Sequence, residues 1–139
     1  MPIKNFEDLE IWQIARRLTQ EVYTLAQTSK FARDYGLRDQ MRRAAVSIMS
    51  NIAEGFERGG NQEFGQFLYV AKASCGELRS QVYVALDQKY IDQQTANEMT
   101  MALKRLSTMI KHLIDHLRQS EMRGPKYSKS ASSRLSEIS

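Results

Sequence analysis

Eight cations in this chain have the chemistry to bind phosphate: Arg16, Arg17, Arg38, Arg42, Arg43, Arg58, Lys72 and Arg79. Seven are arginines, whose planar fork of N–H donors matches phosphate oxygens in pairs. Arg38 and Arg42 stand one helical turn apart. On a single copy of the chain the plainer reading is a solvated face neutralised by Asp39 and nearby glutamates. In an assembly the patch repeats, and many weak phosphate contacts add.

The other chemistry-bearing residues support no reaction. His112 and His116 are four apart with Asp115 between them, a spacing that could hold a metal on one helix face. They are the only two histidines, and helical spacing turns both away from the Leu106, Ile110, Leu113 stripe. Cys75 falls in the middle of an apolar stripe, where a thiol acts as a small hydrophobe. GFERGG (55–60) reads as a helix end, not a nucleotide cradle, because no strand precedes it. Glu7 and Asp8 sit at a helix start, where the dipole favours carboxylates. The expectation is a protein that is not an enzyme and has no metal or cofactor.

Composition narrows the class. The chain has 139 residues and 26% charged side chains, within the size of one domain with a real core. No apolar run is long enough to span a membrane. The opening MPIKNFEDLE is charged and lacks the apolar stretch of a signal peptide. A single cysteine excludes an intrachain disulfide. Together these predict a cytoplasmic location. The net charge is +4, and half of the excess lies beyond residue 120, where Arg123, Lys126, Lys129 and Arg134 face Glu121 and Glu137.

The elements that must position the cations are helical. Apolar residues recur at helical spacing through segments of roughly 6–28, 36–57, 62–89 and 93–119, and none alternates as a strand would. Asn61 and Asp92 are expected N-caps, and Gly59-Gly60 marks the second segment's end. Four such segments with short loops predict an all-α, antiparallel up-and-down four-helix bundle over residues 1–120. Residues 121–139, rich in Ser and Lys, are expected to be a disordered tail.

One stretch is unusual. Residues 44–53, AAVSIMSNIA, carry no charge at all. Ala45, Ile48 and Ile52 belong to the core stripe, but Val46, Met49 and Ala53 fall on the far side, where a surface helix carries Lys and Glu. The third segment shows a second seam as well, Tyr69, Ala73, Gly76, Ser80 and Tyr83, spaced four, three, four, three. A helix apolar on both sides needs a neighbour on both sides. The chain is therefore expected to self-associate through Val46, Met49, Ala53, Tyr69, Ala73, Gly76 and Tyr83. A polar strip (Arg43, Ser47, Ser50, Asn51, Glu54, Arg58) lies between the apolar faces. It is expected to satisfy its own hydrogen bonds at a helix contact, with Arg43, Ser47 and Glu54 as its network.

YGLRDQMRRAAVSIMSNIAEGFERG (35–59) resembles the signature of the four-helix-bundle proteins encoded in intervening sequences of 23S ribosomal RNA genes. Phe6, Asp8, Leu9, Trp12, Ala15 and Leu18 are similar to that family's opening pattern, and FLYVAKASCGELRSQ (67–81) to its third helix. The resemblance spans about residues 5–118. It implies a left-handed bundle assembling as a homopentamer, with a basic surface associated with RNA, and it supplies no catalytic residues. A related group serves as the accessory variability determinant of diversity-generating retroelements. There a basic pentamer binds a reverse transcriptase and supports copying of template RNA. The family usually has Pro where this chain has Met49, so the second helix should be straighter here. The combined expectation is an oligomeric scaffold binding structured RNA or a ribonucleoprotein. The alternatives are a reverse-transcriptase accessory subunit and a structural oligomer with a protein partner.

Overall fold

The computed structural model describes residues 3–122, so the expected disorder of the 121–139 tail concerns residues almost wholly outside the described ones. A single 3₁₀ turn, Phe6–Asp8, leads into α1 (Glu10–Leu25), α2 (Ser29–Arg33), α3 (Tyr35–Glu57), α4 (Asn61–Asp87) and α5 (Gln93–Met122). No strand occurs among the described residues. The four long helices are those predicted from periodicity. They form a closed cycle in which α3 packs on α1 and α4, and α5 on α4 and α1. The α3–α4 and α4–α5 pairs are the tightest, and α1–α5 the slackest.

The core is built as the stripes require. Ile11, Ala15, Leu18 and Val22 of α1 meet Met41, Ala45, Ile48 and Ile52 of α3. Phe64, Leu68, Ala71, Leu78 and Val82 of α4 meet Met99, Leu103, Leu106 and Ile110 of α5, all essentially without exposure. Between α1 and α3, the Thr19 hydroxyl reaches the carbonyls of Ala15 at 2.8 Å and Ala45 at 3.2 Å. Gly55 sets the α3–α4 approach: a Cβ there would lie 2.6 Å from the Phe67 Cβ.

The connections differ from the expectation in two places. The first segment does not run to residue 28; α1 stops at Leu25, and Thr28 turns extended to begin the short α2. That detour tucks Phe31, 1% exposed, into the core, where Tyr90 stacks on it at 5.1 Å between ring centres. The Tyr90 hydroxyl donates to one carboxylate oxygen of Asp34 (2.9 Å), and the other accepts from the Leu37 N–H and so caps α3. Asn61 is not an N-cap. Gly59 takes the left-handed conformation (φ 82°) and Gly60 is extended, so Gly60 precedes the helix and Asn61 becomes its buried first residue.

Asp92 does cap α5, accepting from the Thr95 N–H at 2.8 Å. Hydrogen bonding from Thr95, through its side chain first and its backbone N–H second, holds the Asp92 carboxyl below the usual carboxylate range. At the end of α4 the Tyr90 N–H bonds back to the Ala85 carbonyl and the Lys89 N–H to that of Leu86. This is the double closure of a Schellman motif, with Lys89 at φ 62° in the position that glycine usually takes.

Candidate nucleic-acid interface

The uncharged stretch of α3 is explained mostly by the chain itself. Ala44, Ala45, Ile48 and Ile52 are buried, Met49 is half-buried against the core, and Ala53 is half-buried. Val46 remains 39% exposed. A wheel reading that gives each helix one covered face overestimates the second seam here, because α3 is flanked by α1 on one side and α4 on the other.

Part of the polar strip, Ser47, Asn51, Glu54 and Arg58, is paired at or beside the α4 contact, through a different partner from the one expected, while Arg43 and Ser50 are exposed. Ser47 shares a 2.9 Å hydrogen bond with Ser74 of α4. Asn51 donates to the Ser47 carbonyl and hydroxyl, at 2.8 and 3.0 Å. Arg58 pairs with Glu54 and with Glu63 of α4. Ser74, not Arg43, completes the network.

On α4 the expected seam is open. Tyr69 is 43% and Tyr83 52% exposed, with Ala73, Gly76 and Ser80 exposed between them and Val70 and Val84 alongside. It lies on another side of the bundle from Val46, since Val46 sits on the α3 flank away from α4. The exposed part of the expected interface is thus concentrated on α4, with Val46 alone on α3.

The eight cations do not form one patch on a single copy. Arg16 and Arg17 are exposed on α1, Arg16 with its guanidinium 5.7 Å from the centre of the Trp12 ring. At the start of α3, Arg38 donates to the Ala32 carbonyl (3.1 Å) and to Asp39 (3.2 Å) and stacks 4.6 Å from the Tyr35 ring. Arg42 lies 4.7 Å from the Tyr23 ring, its Nε buried without a hydrogen-bond partner. Arg43 is exposed. Arg58, besides its two carboxylates, lies 5.3 Å from the Phe67 ring at the far end of α3. Its charge is largely balanced in place.

Lys72 and Arg79 are brought together on the α5 side of the seam. With Lys111 of α5 they flank a groove of about 420 Å³ whose walls include Tyr69, Ala73 and Gly76. The residues assigned to an apolar interface and those assigned to phosphate binding thus share one groove.

Lys111 was missed in the sequence. The signal was available in the heptad spacing of Lys104, Lys111 and Arg118, which puts three exposed cations in one row on α5. Lys111 bonds Asp115 at 2.6 Å, which holds the Asp115 carboxyl below the usual carboxylate range. Arg118 donates to the Tyr69 hydroxyl at 2.8 Å, tying the row to the seam.

The remaining candidates settle into structural roles. Cys75 lines the floor of the groove yet is 1% exposed, and burial pushes its thiol up to about 12, against the opposing pull of Lys72 and Arg79. A thiol so disposed is protonated and unreactive at neutral pH. His112 is exposed, but His116 does not point wholly to solvent: it is half-buried, with Nε2 enclosed and unpartnered. No cluster of three metal-ligating side chains occurs among the described residues.

A four-helix bundle carrying this α3 motif has a match among known families: the model of the 23S rRNA-intervening sequence proteins covers residues 7–112. The chain belongs to that family. The matched span takes in α1 through most of α5, hence the Tyr35–Arg38–Arg42 row, the α4 seam and the Lys72–Arg79–Lys111 groove. No curated protein matches significantly. No described helix is long and apolar enough to cross a membrane.

Proposed function

We propose that this protein is a non-catalytic, cytoplasmic homo-oligomeric scaffold that binds structured RNA through cations repeated around the assembly. The observation that carries the reading is the α4 groove, where an exposed seam of Tyr69, Ala73, Gly76 and Tyr83 runs beside Lys72, Arg79 and Lys111. Small residues let helices approach closely, and the flanking tyrosines offer area with little entropy to lose. The α4 seam of one copy, set against a different face of the next, would make a head-to-tail contact. Such contacts close into rings when the rotation allows, in keeping with the pentamer that the family resemblance implies. A ring repeats each cationic groove once per subunit, and phosphate contacts too weak singly become additive.

The test joins assembly and binding. Sedimentation of the nuclease-treated protein should give an oligomer, and Ala73→Glu in the seam should release monomers that remain helical. Anisotropy with a structured RNA should show affinity falling by about 10³ between roughly 50 and 200 mM salt, as several phosphate contacts require. Lys72→Glu with Arg79→Glu should flatten that salt dependence. A monomer in solution, or no RNA binding at low salt, refutes the reading.

A further inference from the structure

Tyr35 is the most exposed aromatic ring among the described residues, 64% open to solvent. A tyrosine so placed would normally be free to swing, but this one is backed. The Arg38 guanidinium lies 4.6 Å from the ring centre and is itself fixed by the Ala32 carbonyl and the Asp39 carboxylate. The ring is thus a flat apolar surface held in place before anything binds.

Its surroundings are cationic. Arg42 lies seven residues on along the same flank of α3, about 10 Å up the helix axis. It is half-buried against Tyr23, and Arg43 beside it is exposed. Lys30 and Arg33 are exposed on α2, immediately before Tyr35. The carboxylates nearby are committed: Asp34 to Tyr90 and the α3 cap, Asp39 to Arg38.

Resting on the RNA reading above, we infer that the start of α3 recognises unpaired bases, with Tyr35 as the stacking surface and Arg42, Arg43 and Arg33 as its phosphate contacts. A duplex hides its base faces in its own stack and offers Tyr35 nothing. A loop or single strand offers a ring for the ring and phosphates for the guanidinium groups, the combination that single-strand recognition uses. The α4 groove supplies general attraction to phosphate. The Tyr35 surface supplies the preference for unpaired RNA.

The experiment uses the full chain, a short single-stranded RNA carrying 2-aminopurine, and the same strand annealed to its complement. Wild type should bind the single strand more tightly than the duplex, with 2-aminopurine fluorescence quenched by stacking. Tyr35→Ala should weaken single-strand binding about tenfold and remove the quenching, leaving duplex affinity unchanged. Tyr35→Phe should behave as wild type. Equal losses on both RNAs, or no loss on either, overturn the inference while the RNA reading stands. If wild type binds neither RNA at low salt, both fall, and the cations face a protein partner.

Discussion

Replacing Gly55 by alanine sets two opposed effects on one position. Gly55 lies inside α3, where glycine costs about 1 kcal/mol relative to alanine, so the new methyl should favour the helix. The same methyl would sit 2.6 Å from the Phe67 Cβ and 3.1 Å from the Phe64 Cδ1, where ordinary contact begins near 3.4 Å. The Phe67 Cβ is bonded directly to the α4 backbone, so no rotamer change moves it aside. Relief requires α4 to withdraw by most of an ångström, which stretches the Ser47–Ser74 bond and loosens the tightest helix pair. Overpacking of this kind costs about 1–3 kcal/mol, and the backbone contact puts it at the upper end. The net is a loss of about 1–2 kcal/mol, or a melting temperature lower by about 5 °C for a bundle of this size. Thermal melts by far-UV circular dichroism at fixed protein concentration, with parallel urea titrations, measure it. Gly65→Ala is the control: nothing lies within 4 Å of a Cβ there, so it should gain up to about 1 kcal/mol. If Gly55→Ala melts at or above wild type while the control behaves as expected, the close-approach argument is wrong.

Three further outcomes follow from particular geometries. Lys89 adopts φ 62°, and Lys89→Gly should raise stability by about 0.5–1 kcal/mol in urea titration. Relief of the left-handed conformation, about 1–2 kcal/mol, outweighs the entropy that glycine adds to the unfolded chain. Cys75, its thiol pushed up to about 12 by burial, should resist Ellman's reagent at pH 8 in the native protein and react fully in urea. The unfolded chain releases that proton first as pH rises, so this group's contribution to stability declines from the ordinary thiol range upward. Glu21 is raised above the usual carboxylate range, chiefly by burial and then by Glu98 across the α1–α5 groove. A raised carboxyl opposes folding once ionised, so Glu21→Gln should be more stable than wild type at pH 7. The difference should vanish below about pH 4, where both side chains are neutral.

The long helices were legible because their stripes are unbroken: Phe64, Leu68, Ala71, Cys75 and Leu78 recur at helical spacing along α4 and all are buried. The α2 detour was not. Five residues carry no periodicity, and what holds them in place is the long-range stacking of Phe31 on Tyr90, a contact that local spacing does not encode. Of the site, the exposure of the α4 seam could be read because helical spacing turns it away from the buried stripe of α4, whereas that of the α3 seam was overstated because Met49 and Ala53 are half-buried within the chain itself. Arg38 and Arg42 were legible as cations but not as partners of Tyr35 and Tyr23, since a ring on α1 or at a helix start is invisible to a wheel drawn for α3. The groove was missed as a unit because its cations come from two helices.

The slack α1–α5 side of the cycle has a dynamic consequence. A groove of about 600 Å³ lies there, with Met101 on its rim 70% exposed and Glu21 set against Glu98. The tighter pairs, α3–α4 and α4–α5, join helices consecutive in sequence, whereas the α1–α5 contact closes the cycle between the two ends of the bundle. Helices that are neighbours in the chain assemble with little loop entropy to lose, and the long-range closure comes last. The reverse order should govern opening, with α1 the first helix to lift away while α3, α4 and α5 stay docked. Amides of Glu10–Leu25 should therefore exchange with solvent at a lower free energy than those at the centre of α4, dividing one helical bundle into two cooperative blocks.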